Sequence, residues 1–192
     1  MIEVYKQHES IILSTGRIPQ VIMPKTKEES IILLAQYPKQ YYNTIKPLSI
    51  KECVLSPVCT LGAFNRATTN ENTGNMTVSA LVVTMLTDLV SFFNVGKTMS
   101  EVQLAQTAEI IIDTYGYLKI DDFKFCFSSA KKGLYGVVYD RLDGNVIISW
   151  IEQYLSDRIS VSDNLNYSDH VSMKANEKSS QSFLEIQSKH KI

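Results

Sequence analysis

The chain has 192 residues, 44% of them hydrophobic, and a formal net charge of −1. That length and apolar content suit one folded domain with appendages. Near-neutrality excludes a global electrostatic pull toward nucleic acid or a membrane surface and leaves room only for a local basic patch.

Three cysteines, Cys53, Cys59 and Cys126, lack the spacing of a zinc site and have no histidine nearby, so they read as reduced thiols of a cytoplasmic protein. The opening MIEVYKQHESIILSTG carries no basic n-region and only the short apolar triplet Ile11-Ile12-Leu13, unlike a signal peptide. The longest apolar stretch, residues 78–93, is broken by Thr84, Thr87, Asp88 and Ser91; spanning a bilayer would bury a charge. A soluble protein is expected.

Residues 1–25, with Gly16, Pro19 and Pro24, read as a loosely packed arm. Thr26 and Glu29 form a capping signal before Ile31-Ile32-Leu33-Leu34, and Pro38 should stop that helix. A short helix is expected over residues 39–45 and one or two further turns over 48–56. Residues 57–75 read as a long polar loop, on the strength of the run ATTNENTGN. That loop divides an N-terminal portion, 1–56, from a helical core domain, 76–159.

Within the core, Val78, Val82, Met85, Leu86, Leu89, Val90 and Phe93 recur at helical spacing, with Gly96 as a left-handed stop. Ser100 and Gln103 make a capping box for a helix with Leu104, Ala108, Ile111, Ile112 and Tyr115 inward. Asp121 or Asp122 starts a third helix, with Phe123, Phe127, Ala130 and Leu134 on one face and Gly133 as its end. Asp143 caps a fourth, which places Val146, Ile147, Trp150, Ile151, Tyr154 and Leu155 inward. Beyond Ile159 the chain turns serine-rich, and residues 160–192 read as a disordered tail, with a terminal helix at 182–189 as its one ordered candidate. The expected fold is mostly α: a compact helical bundle with a long loop and a disordered C-terminal tail.

Residues 115–158 concentrate three of the seven Phe, five of the ten Tyr and the single Trp. The acids there, Asp121-Asp122 and Asp140/Asp143, fall at helix starts, where carboxylates satisfy free amides and the helix dipole. Opposed placement around a substrate, which acid–base catalysis needs, is not suggested. Gly96-Lys97-Thr98 lacks the preceding glycine of a phosphate loop, since Ser91 stands there, and DRLDGN lacks the acids of a calcium loop. These readings give no catalytic residue, no cofactor and no metal. Most of the aromatics read as core. Phe125 points off the Phe123/Phe127 face, and Lys124, Lys131 and Lys132 share a flank. With Tyr135 and Arg141 they form the candidate partner-binding strip.

From Gln103 to Arg158 the arrangement resembles a family of small helical proteins from gut Bacteroidales phages, plasmids and conjugative elements. The matching positions are Gln103, Thr107, Tyr117-Leu118, Asp122-Phe123, Phe127, Lys132-Gly133, Tyr135-Gly136, Tyr139, Asp143, Trp150 and Tyr154. They cover somewhat under a third of the chain, and the family has no settled activity. More loosely, the helix order is similar to the N-terminal domain of phage helicase loaders, from which the glycine- and tyrosine-rich turn 133–144 departs. These resemblances imply a non-enzymatic accessory protein of a phage or mobile element, acting in DNA replication by binding a helicase or initiator. A direct nucleic-acid binder and a virion or assembly component stand as the alternatives.

Overall fold

A computed structural model describes residues 24–44, 47, 49–69 and 76–189. In chain order its helices are α1 (Lys27–Gln36), α2 (Pro38–Thr44), α3 (Ile50–Leu55), α4 (Leu61–Thr68), α5 (Met76–Phe92), α6 (Glu101–Tyr115), α7 (Ile120–Lys131) and α8 (Gly144–Lys189). There is no β-strand among the described residues, only the isolated bridges Thr60–Lys119 and Lys97–Arg141. The fold is mostly α.

The helix starts follow local chemistry. Thr26 Oγ1 accepts from the Glu29 amide at 3.2 Å, while the Glu29 carboxylate reaches back to the Lys25 amide at 2.7 Å. Pro38, with no amide hydrogen to leave unpaired, takes the first position of α2. Ser100 and Gln103 form the expected reciprocal box at the start of α6. Asp143 Oδ1 accepts from the Val146 amide at 3.2 Å and opens α8.

Helix α5 lies at the centre, packed against α2, α4, α6 and α7. Its buried stripe is Val78, Leu81, Val82, Met85, Leu86, Leu89 and Val90. The hydroxyls of Thr84 and Thr87 on its other side donate to the carbonyls of Ala80 and Val83. The first turns of α8 close the bundle against α3, α6 and α7 through Ile147, Trp150, Ile151 and Tyr154. Each of these large side chains contributes on the order of 1.5–3 kcal/mol by burial. At Gly144 the start of α8 abuts α6 so closely that a β-carbon would lie 2.5 Å from Thr107 Oγ1.

Three sequence expectations change here. Residues 57–75 are not all loop: α4 occupies 61–68 and buries Leu61 and Phe64. Its first amides find acceptors across the fold, Leu61 N to Leu118 O at 2.8 Å and Gly62 N to Gly116 O at 2.7 Å. The third, Ala63 N, is capped by Thr60 Oγ1 at 3.2 Å. A helix supported from fifty residues away leaves little local signature. Gly96 does not adopt a left-handed conformation; among the described residues positive φ occurs at Gly133 and Gly136.

The third concerns Leu134. It does not continue the Phe123/Phe127/Ala130 face but stands 69% exposed, because Gly133 (φ 76°) turns the chain off the helix before it. The amides of Gly133 and Leu134 return to the carbonyls of Ala130 and Ser129, which is the Schellman closure of α7.

The helices before residue 76 share one continuous core with those after it: Leu34, Tyr41, Tyr42, Val58, Cys59, Leu61 and Phe64 pack with α5–α8. The expected arm, residues 1–25, lies almost wholly outside the described residues, as do residues 70–75. Helix α8 continues to Lys189, past the change in composition at residue 160. Its fully buried side chains end at Tyr154, and from Asp163 to Lys174 every described side chain except the half-buried Leu165 is exposed. The core therefore ends where the serine-rich composition begins. Among the described residues no helix is long and apolar enough to cross a membrane.

Candidate interaction surface

The first turn of α7 lies over a buried ionic cluster. Asp122, fully buried, accepts from the Lys119 amide at 2.7 Å, from Tyr154 Oη at 2.5 Å and from Arg158 Nε at 2.9 Å. Asp121 accepts from Ser56 Oγ at 2.9 Å and pairs with Lys124 Nζ at 3.4 Å. Lys119 Nζ donates to the carbonyls of Val54 at 2.7 Å and Ser56 at 2.5 Å, closing the C-terminal end of α3.

Burial dominates the titration of this cluster. It raises the Tyr154 hydroxyl, with the Asp122 charge adding to the effect. It pushes the Cys53 thiol up to about 12. Desolvation lowers Lys124 to about 8, although Asp121 pulls the other way. The three cysteines are free and buried, and Cys53 and Cys126 donate to the carbonyls of Asp121 and Trp150. Every carboxylate oxygen of Asp121 and Asp122 has a protein donor: these acids hold helices together.

The six residues of the expected binding strip separate. Lys124 is only 5% exposed, its ammonium 4.3 Å from the centre of the Tyr41 ring as well as beside Asp121. It is therefore not part of a surface, because α2 covers that flank of α7. Lys131 is tied to Asp88 at 2.8 Å and lies 5.4 Å from the Phe92 ring, which fastens the end of α7 to α5. Lys132, the residue capping α7, is exposed. Arg141 is exposed and pairs with Asp143 at 3.3 Å. The lysine flank is thus not one basic strip.

Phe125 and Tyr135 do come together. They line an open cleft of about 440 Å³ with Ser129 of α7, Leu134 of the turn, Ile50 of α3, and Gln153, Ser156 and Asp157 of α8. The Phe125 ring lies 6.0 Å from that of Tyr154, so the cleft is backed by the bundle core.

Beside the cleft runs the turn Gly133-Leu134-Tyr135-Gly136-Val137-Val138-Tyr139. Val137 is 70% and Tyr139 86% exposed, matching Leu134. Gly133 and Gly136 (φ 101°) give the turn its shape, and no atom lies within 4 Å of a β-carbon built at either, so backbone conformation rather than crowding requires glycine. Ile50, Val137 and Asp157 carry no periodic signal, and the helical spacing of Leu134 points to the core face rather than to this surface. For Leu134 and Val137 the available signal is the glycine-punctuated apolar stretch from Gly133 to Val138. Comparison with protein-family models, with curated proteins and with solved structures returned no match.

Proposed function

We propose that this chain is a non-enzymatic accessory protein that works by holding another protein against the end of α7 and the turn that follows it. The observation that carries the reading is the outward placement of Leu134, Val137 and Tyr139 on a glycine-shaped turn beside a cleft into which Ile50, Phe125 and Leu134 put hydrocarbon. Clustered apolar side chains exposed on a folded surface mark sites of association. The use of the buried acids as helix fasteners, and the engagement of Lys124 with Asp121 and of Lys131 with Asp88, favour this reading over chemistry or a phosphate-binding strip.

Within that reading, the partner to try first is a replicative helicase or initiator of a phage or mobile element, following the resemblance in helix order to helicase loaders. The test is capture of a purified replicative helicase by the immobilised chain, followed by size-exclusion of the mixture. Binding that is lost in the double variant Val137→Ser/Tyr139→Ser supports the reading. Failure of the unmodified chain to bind removes the helicase as partner.

A further inference from the structure

The cleft has a charge character as well as a shape. Its lining contains one ionisable carboxylate, Asp157, and no Lys, Arg or His. Asp157 is exposed and takes part in none of the ion pairs formed among the described residues, whereas Asp88, Asp121, Asp122 and Asp143 all do. Its field reaches the cleft: it is among the charges that hold the Tyr135 hydroxyl above its ordinary value, after burial. The remaining lining is uncharged: Ile50, Phe125 and Leu134 supply hydrocarbon, Ser129, Tyr135 and Ser156 hydroxyls, and Gln153 a carboxamide.

We infer that the cleft takes a short basic–apolar segment of a partner protein, with one large apolar side chain seated among Ile50, Phe125 and Leu134 and a neighbouring Lys or Arg paired with Asp157. This deepens the protein-binding reading by naming the partner's chemistry, and it rests on that reading. An apolar anchor supplies affinity by leaving water, and the lone carboxylate at the rim selects cationic over anionic partners, since an acidic segment would meet Asp157 with like charge. Apolar lining with a few placed polar groups is the usual composition of such sites.

The test uses the full chain and a displayed library of random dodecapeptides, followed by fluorescence anisotropy with synthetic copies of the enriched sequences. The expected consensus pairs one large apolar residue with a Lys or Arg within one helical turn. Asp157→Lys should weaken those peptides at least about tenfold and, in a fresh selection, replace the basic position by Asp or Glu; Leu134→Asp should abolish binding. Both positions are exposed, so folding should be unaffected, and circular dichroism checks that.

No enrichment, a consensus without a basic residue, or binding indifferent to Asp157→Lys overturns the inference. Helicase capture that survives Asp157→Lys but not Val137→Ser/Tyr139→Ser would overturn it too, while leaving the protein-binding reading in place.

Discussion

The two ends of α7 invert the usual distribution of residue types. At its start, Asp121, Asp122 and Lys124 are withdrawn from water and the arriving Arg158 is half-buried; past its end, Leu134, Val137 and Tyr139 are delivered into it. The charged end works because each group has a partner fixed by a different helix: Ser56 follows α3, Tyr41 lies on α2, and Tyr154 and Arg158 lie on α8. The apolar end has no such covering. Removing one member of a buried pair is costly because the other is left unpaired, whereas trimming an exposed side chain costs little. Charge at one end holds the structure, and hydrocarbon at the other is free for association.

This contrast can be broken by substitution. The largest effect is expected from Asp122→Ala, which strips acceptors from Arg158, Tyr154 and the Lys119 amide together. A loss on the order of 3–5 kcal/mol in urea unfolding is expected, and a loss below about 1 kcal/mol would show that the cluster does not hold the helices.

Next comes the pH response of Lys124. In the fold it titrates near 8, and in the unfolded chain near its ordinary 10.5. Between those values the unfolded chain holds more protons, so this group makes stability rise with pH across that window. Raised thiols such as Cys53, ordinarily near 9.0, act oppositely at higher pH, as do the buried tyrosines. The quantity to measure is therefore the stability of the wild-type chain relative to Lys124→Met. It should climb by on the order of 2 kcal/mol from about pH 8 to about pH 10; a flat difference would mean that Lys124 is not desolvated.

A smaller effect is expected at Gly133→Ala. A β-carbon there meets nothing but must adopt φ near 76°, which costs about 1 kcal/mol. Smallest is Val137→Ser/Tyr139→Ser, which should change the free energy of unfolding by no more than about 0.5 kcal/mol while abolishing partner capture. A double variant that unfolds the protein would erase the distinction between the two ends.

How far the sequence reveals all this depends on the range of the interaction. Helices α5, α6 and α8 are legible from apolar spacing and from Ser100, Gln103 and Asp143, because caps and stripes are local. Helix α4 is hidden, since its first amides bond to Gly116 and Leu118 across the fold; Thr60, Leu61 and Phe64 were its one local trace. Lys124 reads as surface because nothing near it in sequence announces that Tyr41 covers it. Of the binding strip, Phe125 is legible as a residue off the Phe123/Phe127 face and Tyr135 as part of the glycine-punctuated turn. Asp157 is not, for its role depends on what is missing around it in space.

Lys119 carries a consequence for the order in which the molecule can be made. Its ammonium closes the carbonyl end of α3, more than sixty residues earlier, and Ser56 likewise waits for Asp121. During synthesis the first helices leave the ribosome well before either partner exists, and helices this short are marginal in water alone. The N-terminal third should thus remain unsettled until the chain has grown past residue 121, which makes the half-made protein a natural client for holding chaperones.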